Sequence, residues 1–498
     1  MASEAPVVST AHGSVRGVWN ELRMPDAGVA KFATFRGIPF AAAPVGDARF
    51  DAPRPVTPWR GVRDASSFGP TPQRVSPYDP PRIPEPSIPG EETLSVNVTT
   101  PAPEPGAGLP VLVWIHGGGF IGGSAASPWY VGESFARDGV VTVTASYRLG
   151  FEGFGWIDGA VNNRAVLDWL AALEWVQDNI EAFGGDPSRV TIAGQSAGAA
   201  AVMCLLSMPS AQHLFRAVMA ISPGDPSVSL ARARRASSRV ASAAGTATRL
   251  EAIAGVSEMA LFDARDSFRP PAADPFTRMA IRAFRPMVPG PVVDGALVPQ
   301  PVDAALVAGV GDDKALYIGS TAHEFNESML PFAPLLLNVA PERALVRAGL
   351  SNPLAARLAH EAGPSTAWVL GQLVTDATFR CHVARWAPLR AGATAPTWVY
   401  DFRWESQAPG VKGAAHCVDV PFGFDCLDAP GAEDAVGAAP QELADLVHAD
   451  WLAVISGEGV AASDHRDRFS TIVYDAQGRR EELQGYGFER ELATHLAR

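Results

Sequence analysis

Cysteine and lysine are both scarce in this chain of 498 residues. It has three lysines against 37 arginines and a net charge of −13. Such an acidic chain does not attract nucleic-acid phosphates or an anionic membrane surface. Four cysteines are too few for a disulfide scaffold and indicate a reducing cytoplasm. Cys204 is expected to be a reduced core residue, and pairing of Cys417 with Cys426 stays open.

Long apolar runs are absent as well. No stretch approaches the ~20 apolar residues that a membrane-spanning helix needs. Residues 1–6, MASEAP, lack the basic segment and apolar core of a secretory signal. No group of cysteines and histidines has the spacing of a metal site, so neither a metal nor a cofactor is predicted. Hydrophobic residues still make up 47% of the chain. We therefore expect a globular cytoplasmic protein with a large core, either a monomer or a small homo-oligomer.

What the chain does contain is a G-x-S-x-G motif, GQSAG, at residues 194–198. The pentapeptide alone is a weak signal, but its surroundings are typical of a nucleophile elbow. Residues 190–193, VTIA, predict a buried strand, and residues 199–206 predict an apolar helix. A sharp turn between strand and helix lifts a serine hydroxyl above a sheet, and small residues fit such a turn. The sequence predicts Ser196 as a nucleophile, with an ordinary glycine-rich turn as the alternative.

A second glycine motif, HGGGF, occupies residues 116–120 and follows the apolar run VLVWI. Acyl transfer passes through a tetrahedral intermediate whose oxyanion needs fixed N–H donors, each worth about 3 kcal/mol. A glycine run lets backbone N–H groups approach that oxygen without side-chain interference. We expect the N–H groups of Gly118, Gly119 and Ala197 to form an oxyanion hole. A flexible loop is the alternative interpretation.

Further motifs extend the pattern over residues 12–425. They are FRGIPF at residues 35–40, PVGDARF at 44–50, FGGDP at 183–187 and PVVDG at 291–295. Together with the two glycine motifs, they make the chain resemble the type-B carboxylesterases. That branch of the α/β-hydrolase superfamily includes bacterial p-nitrobenzyl esterases and the cholinesterases. The resemblance implies an α/β fold with a large, mixed, mostly parallel central sheet flanked by helices.

His416 is the predicted general base among ten histidines. In this fold the triad follows the chain order Ser, acid, His. His416 lies after the alternating segment TWVYDFRW (397–404) and before VPF (420–422), a context that resembles the catalytic-histidine loop of the family. Among the competing histidines, His213, His382 and His448 lie in helix-like or polar segments. His323 precedes the acid candidate, and His116 begins the glycine loop.

Glu324 is the predicted acid of the triad. It follows the strand LYIG (316–319) and the turn STAH (320–323). A buried carboxylate holds the imidazole in the correct tautomer and stabilises the imidazolium that forms during attack. The family usually uses Glu rather than Asp at this position. Glu327 is the alternative, because Asp419 and Asp425 follow His416 too closely for the expected chain order.

Three positions depart from the family pattern. Gln195 replaces a common Glu before the nucleophile, which removes a carboxylate near the site. Pro223 stands where a serine beside the triad is often found, and Thr93 stands where many relatives carry a disulfide cysteine. None of these departures removes a catalytic group.

The motifs are spread over one fold, so we expect a single catalytic domain over residues 1–498. Residues 7–40 predict a small N-terminal antiparallel β unit, and residues 51–92 a proline-rich surface loop. Residues 481–498 predict a final amphipathic helix. The segments at about 228–285 and 330–395 read as helical insertions, which in the family cap the sheet and shape the pocket.

Aromatic residues adjoin the predicted catalytic elements. Phe120, Phe325 and Phe422 are candidate walls of an apolar substrate pocket, with core packing as the alternative. Trp129 and Tyr130 are expected near its rim. An apolar, uncharged pocket favours esters of short to medium acids, or aryl esters.

These observations predict a serine carboxylesterase that acts on small-molecule esters through an acyl-enzyme. Alternatives are a specialised ester hydrolase of the same fold, an amidase or lipase, and a catalytically dead binding scaffold. Dead members generally lose the nucleophile or the histidine, and both are present here. A histidine base predicts a pH–rate profile that rises as His416, whose ordinary pKa is about 6.5, loses its proton.

Overall fold

The computed structural model describes residues 4–24, 28–76, 81–269 and 287–496. The strands in these ranges form three sheets. In chain order they are β1 (Val7–Thr10), β2 (Gly13–Arg16), β3 (Val18–Met24), β4 (Gly28–Pro39), β5 (Val62–Asp64), β6 (Ser95–Thr100), β7 (Leu109–Ile115), β8 (Val141–Ala145), β9 (Gly185–Gln195), β10 (Ala217–Ile221), β11 (Val228–Ser229), β12 (Val292–Val293), β13 (Ala315–Thr321), β14 (Thr397–Phe402), β15 (Thr471–Asp475) and β16 (Gly478–Glu482).

Eleven of these strands form one large sheet in the order β16-β15-β14-β13-β10-β9-β7-β8-β6-β4-β3. All neighbours from β8 to β15 are parallel. The pairs at the two ends, β6-β8, β4-β6 and β3-β4 on one side and β15-β16 on the other, are antiparallel. The predicted α/β fold with a mixed, mostly parallel sheet is confirmed.

The α-helices of the described ranges lie between and beside these strands. Before β10 they are Glu133–Arg137, Gly150–Phe154, Arg164–Asn179 and Ala197–Leu206. After it they are Leu230–Ala243, Leu250–Ile253, Glu258–Asp263, Val302–Val307, Ala333–Leu336, Pro341–Arg347, Asn352–Ala362, Thr366–Thr375, Cys381–Leu389, Val420–Gly423, Ala432–Val436, Gln441–Ser456 and Gly487–Leu496.

Two hydrophobic cores cover the opposite faces of the large sheet. Alternate residues of β7 divide between them, because side chains along a strand point to opposite faces. Val113 joins the core that contains the helix Ala197–Leu206, and Trp114 joins the core that contains Trp451 of the helix Gln441–Ser456. All residues of β8, β10 and β14 are buried, as expected for parallel strands covered on both faces. These strands form a rigid support for the turns at their carboxyl ends.

The predicted small N-terminal sheet consists of β1, β2 and β5. β1 and β2 form an antiparallel hairpin, and β5 from the proline-rich segment pairs with β2 in parallel. The unit is smaller than the predicted residues 7–40, because β3 and β4 instead extend the edge of the large sheet through β6. Local alternation predicts a strand, but it does not identify the strand's partner.

Helices dominate both predicted insertions where the structure describes them. Three helices lie between residues 230 and 263. Residues 270–285 of the first insertion lie outside the described residues. In the second insertion, five helices and the π-helical segment Asp376–Arg380 pack around a separate apolar cluster that also contains Leu492. Within the described residues, no helix is long and apolar enough to cross a membrane.

The predicted tail helix begins at Gly487, because residues 478–482 pair with β15 as β16. All four cysteines are buried and unpaired. The disulfide between Cys417 and Cys426, which the sequence left undecided, is therefore not formed.

Candidate active site

The GQSAG motif forms a sharp turn between β9 and the helix Ala197–Leu206. Ser196 lies between them with φ 58° and ψ −117°, a conformation that L-residues rarely adopt. Its backbone N–H donates to Ile221 O at the end of β10, at 2.9 Å. A Cβ on Gly198 would overlap Ile115 O, so only glycine lets the helix approach β7 this closely. The predicted strand, turn and helix are present, and neighbouring strands hold the serine in its strained conformation.

The glycine loop that follows β7 lies directly against this turn. Gly118 has φ 98°, in the left-handed region that favours glycine. A Cβ on Gly117 would lie 2.8 Å from Gln195 O and 3.3 Å from the Ser196 Cβ atom. The backbone of Gly117 is therefore a close neighbour of the serine.

Gln73 supports the glycine loop from the proline-rich segment, a role that sequence reasoning missed. Its Oε1 accepts a hydrogen bond from Gly123 N at 2.7 Å. Its Nε2 donates to Glu85 O at 2.8 Å. Gln73 is 3% exposed, so the segment predicted as a surface loop also has a buried part. An isolated Gln in a proline-rich stretch carries no local signal of such a contact.

Glu324 and His416 are in direct contact. The Nδ1 atom of His416 is hydrogen-bonded to Glu324 Oε2. The second oxygen, Oε1, accepts from Thr321 N at 2.9 Å, at the end of β13. Both side chains are buried. The carboxylate therefore fixes the tautomer with the proton on Nδ1 and leaves a lone pair on Nε2.

Opposing influences act on the pKa of His416. Burial lowers this pKa, whereas the neighbouring Cys417 thiol and the Glu324 carboxylate raise it. The net result is a pKa above the ordinary value for histidine. A buried carboxylate beside an imidazole favours the charged form of the ring.

The Nε2 atom of His416 faces the side chain of Gln195, whose amide nitrogen lies 3.2 Å away. In the neutral ring, whose proton is on Nδ1, the amide donates to the Nε2 lone pair. Ser196 Oγ makes no hydrogen bond to His416 in the described part of the chain. Such bonds are often long in enzymes without substrate and shorten when substrate binds.

The turn that carries Glu324 and the loop that carries His416 are joined by backbone hydrogen bonds. His323 N donates to Ala414 O at 2.9 Å, and His416 N donates to Glu324 O at 3.1 Å. Ala414 N donates to the His323 ring nitrogen Nδ1 at 3.1 Å. His323, a weaker base candidate, therefore has a structural position in this junction.

Glu327, the alternative acid, lies at the same junction and forms no hydrogen bond or ion pair with His416 within the described residues. Its Oε1 accepts from Lys412 N at 2.8 Å, and its Oε2 forms an ion pair with Arg82. Asp419 is buried, and the Tyr400 hydroxyl donates to its Oδ2 at 2.9 Å. Burial, and after it the charge of Glu324, raise the pKa of Asp419 to about 7.

Two phenylalanines flank the imidazole of His416. Phe325 and Phe379 each lie 4.9 Å from it, measured between ring centroids, and 4.9 Å from each other. Phe325 was a predicted pocket residue. Phe379 was missed because it lies in the π-helical segment, far from the catalytic motifs in sequence.

The other predicted pocket aromatics lie in the core. Phe120 is fully buried and packs against Phe154, with ring centroids 4.7 Å apart. Phe422 is fully buried and packs against Phe402 and Trp404. Trp129 and Tyr130, expected at the rim, are 1% exposed and belong to a core cluster. Adjacency in sequence to a catalytic element does not decide which way a large apolar side chain points.

Two of the other histidines, His116 and His448, are held in place by hydrogen bonds and ring contacts. His116 Nδ1 lies 2.9 Å from Gly117 O, and its ring stacks on Tyr147. His448 lies between Gly423 O and Asp138 Oδ2, 2.9 Å from each. Within the described residues, no group of three or more His, Cys, Asp or Glu could hold a metal ion.

Comparisons with known proteins agree with this geometry. Residues 4–435 match the model of the carboxylesterase family. The para-nitrobenzyl esterase of Bacillus subtilis (strain 168) is 32% identical over 436 residues, which cover 85% of this chain and 83% of that protein. The phenmedipham hydrolase of Pseudarthrobacter oxydans is 33% identical over 451 residues, with 84% and 85% covered. The crystal structure of the Geobacillus stearothermophilus carboxylesterase EST55 at pH 6.2 superposes with a TM-score of 0.81 at 32% identity, covering 97% of this chain and 99% of that one. The chain therefore belongs to the carboxylesterase family and is a carboxylic-ester hydrolase.

Proposed function

We propose that this chain is a serine esterase that hydrolyses carboxylic esters through an acyl-enzyme, with Ser196, His416 and Glu324 as its triad. The observation that carries the proposal is the hydrogen bond between Glu324 and His416 Nδ1 beside a serine held at a strained elbow. The carboxylate sets the tautomer that leaves Nε2 free to accept a proton. No second class of function has an observation in its favour.

In the proposed reaction, Ser196 Oγ attacks the ester carbonyl carbon while His416 Nε2 takes the hydroxyl proton. The oxyanion that forms is held by the backbone N–H groups of Gly118, Gly119 and Ala197. His416 then gives its proton to the leaving alcohol, which produces the acyl-enzyme. Water attacks the acyl carbon with the same histidine as base, and the acid is released.

The substrate class follows from the surroundings of His416. Phe325 and Phe379 present apolar rings beside the imidazole, and Gln195 adds a neutral amide. The names of the two relatives refer to para-nitrobenzyl and to phenmedipham, and both of these contain aryl groups. We propose uncharged esters of short to medium acids, or aryl esters, as substrates.

The test is hydrolysis of p-nitrophenyl esters from C2 to C12 by the wild type and by Ser196→Ala. Turnover is expected to fall on the order of 10⁶-fold in the variant, because triad members act as a unit. Phenylmethylsulfonyl fluoride should add one adduct to the intact mass of the wild type and none to the variant.

Ser207→Ala is the matched control. Ser207 is also buried, at the far end of the same helix, and its hydroxyl donates to Cys204 O at 2.7 Å. This variant should keep its turnover and its adduct. Wild-type turnover that persists in Ser196→Ala would refute the proposed nucleophile.

A further inference from the structure

The glycine loop after β7 has few side chains of its own to hold it in shape. Residues 117–123, GGGFIGG, contain only two, and four of the seven residues have φ between 63° and 99°. Glycine loses more conformational freedom on folding than any other residue, so such a loop keeps one conformation only where contacts fix it. The contacts of this loop therefore determine where its backbone N–H groups point.

The loop first folds back on itself. Ile121 N and Gly122 N each donate to Gly118 O at 3.1 Å. A Cβ on Gly118 would overlap the carbonyl group of Gly122 and would lie 2.9 Å from Gly123 N. The turn therefore brings Gly123 directly against the residue that begins it.

Gly123 packs against the peptide group that joins Gly117 to Gly118. A Cβ on Gly123 would lie 2.5 Å from Gly117 O and 2.5 Å from the ring nitrogen Nδ1 of His116. Gly117 O and Gly118 N belong to one planar peptide group. A displacement of Gly123 therefore tilts the N–H of Gly118.

Gln73 fixes Gly123 from outside the loop. Its Oε1 accepts from Gly123 N at 2.7 Å, and its Nε2 donates to Glu85 O at 2.8 Å. Because both ends of the amide are engaged, the side chain cannot rotate without breaking a bond. Gln73 is 3% exposed, and Gly123 is buried as well. Removal of this amide would leave the N–H of Gly123 buried without its acceptor.

Glu85, the second anchor of the Gln73 amide, is connected to the strand from which the loop emerges. The Tyr130 hydroxyl donates to Glu85 Oε1 at 3.2 Å. The Tyr130 ring is 1% exposed and packs against Trp114 of β7, with ring centroids 5.4 Å apart. Gln73 is thus held between two points that the core itself positions.

We propose that Gln73 is a positioning residue for ester hydrolysis: through Gly123 it holds the N–H of Gly118 in the direction that the oxyanion requires. This inference rests on the proposed mechanism, in which that N–H is a donor of the oxyanion hole. Gln73 acts through the backbone and not on the reacting atoms. Both acylation and deacylation pass through a tetrahedral oxyanion, so a tilted donor slows both steps. Loss of the Gln73 amide should therefore lower kcat and leave KM nearly unchanged.

The first test is Gln73→Met, which keeps the length of the side chain and removes both hydrogen bonds. With p-nitrophenyl butyrate we expect kcat to fall about 10- to 30-fold and KM to change less than about twofold, because a displaced donor loses part of the 10²–10³-fold effect of a deleted one. Gln212→Met is the matched control and should keep the wild-type kcat. Gln212 Nε2 also holds backbone carbonyls, Leu206 O at 2.9 Å and Met208 O at 3.0 Å, at the far end of the elbow helix.

Inhibition by two ketones separates a positioning role from general damage. Phenethyl trifluoromethyl ketone adds to a serine hydroxyl and forms a tetrahedral oxyanion, whereas phenethyl methyl ketone binds as the intact carbonyl compound. Gln73→Met should weaken the first inhibitor by the same factor as kcat and leave the second unchanged. If thermal melting shows Gln73→Met to be unfolded, Gln73→Asn replaces it, because its amide is one methylene shorter and cannot reach Gly123 N and Glu85 O together.

An unchanged kcat in a folded variant, a rise in KM in place of a fall in kcat, or equal weakening of both ketones would overturn the role of Gln73. Failure of the proposed mechanism itself would give a different result. The trifluoromethyl ketone would then bind to Ser196→Ala as tightly as to the wild type, with Gln73 intact in both.

Discussion

The two ring nitrogens of His416 have different partners, and in the proposed mechanism this difference controls when the residue can act as a base. Glu324 accepts from Nδ1, and the Gln195 amide faces Nε2 at 3.2 Å. In the proposed mechanism Nε2 takes the Ser196 proton, so Gln195 competes for the same lone pair. An amide that donates to this lone pair also stabilises the neutral ring.

Gln195 shows where prediction from sequence ends at the scale of a residue. The sequence identifies Gln195 as a departure from the family and a lost carboxylate. It does not reveal the contact with His416, because the two residues are 221 positions apart and meet only through the sheet and the histidine loop.

A carboxylate at position 195 is expected to shift the pH dependence of hydrolysis. The proposed mechanism requires neutral His416, so a pKa above the ordinary 6.5 places the rise of kcat/KM above pH 6.5 in the wild type. Gln195→Glu adds a negative charge beside Nε2, which favours the imidazolium and moves the midpoint upward by about one pH unit. The measurement is kcat/KM for p-nitrophenyl acetate between pH 5 and 11, corrected for spontaneous hydrolysis of the ester.

Gln195→Met serves as the control for this shift. Its side chain has similar length, adds no charge and cannot donate to Nε2. The midpoint should therefore rise less than in Gln195→Glu. An unchanged or lower midpoint in Gln195→Glu would contradict the role of this side chain.

At the scale of elements, catalytic geometry depends on how the turn after β13 meets the histidine loop. Glu327 joins three segments at this junction, because it accepts from Lys412 N at 2.8 Å and forms an ion pair with Arg82 of the proline-rich segment. The residue that the sequence ranked second as the acid thus connects the histidine loop to the proline-rich segment. Its partner Arg82 has a side chain that is 35% exposed, so solvent screens the ion pair and its contribution to stability is small.

Glu327→Ala is expected to lower kcat about 5- to 10-fold with little change in KM. Loss of the Lys412 contact loosens the loop that carries His416, and small displacements of a catalytic group are costly. The melting temperature should change little. Steady-state kinetics with p-nitrophenyl butyrate, together with thermal melting, separate the two effects.

Glu327→Gln keeps an acceptor for Lys412 N and should restore most of kcat. Arg82→Ala removes only the ion pair and should resemble the wild type more than Glu327→Ala does. If Arg82→Ala lowers kcat as much as Glu327→Ala does, the effect comes from the proline-rich segment and not from the Lys412 contact.

Elements were easier to predict than their partners. The elbow strand β9, its helix and the strand β7 follow from apolar runs and glycines that act within ten residues. The pairing of β4 with β6, the burial of Trp129 and the position of Phe379 beside His416 depend on contacts between distant segments. Those contacts leave no periodicity in the local sequence.

At the scale of the whole molecule, the residues after the family match add two strands to the large sheet and a helix that packs on the second insertion. The match ends at residue 435, whereas β15 and β16 extend the sheet after β14. The helix Gly487–Leu496 then packs on the insertion helices. Phe488 and Leu492 join their apolar cluster, and Glu489 pairs with Arg380. This final helix therefore packs on the elements that carry Phe379 and Arg380.

Leu492→Ala tests whether the final helix is part of the cooperative structure. Leu492 is fully buried, so its truncation should lower the free energy of unfolding by about 2–5 kcal/mol through lost burial and the cavity left behind. Leu483→Ala, at a position 55% exposed, is the control and should change that free energy by less than about 0.5 kcal/mol. Urea unfolding followed by tryptophan fluorescence gives both values. If the final helix contributed nothing to the stability of the fold, the two variants would unfold at the same urea concentration. A lower midpoint for Leu492→Ala alone would mean that the helix Gly487–Leu496 supports the insertion helices beside the active site.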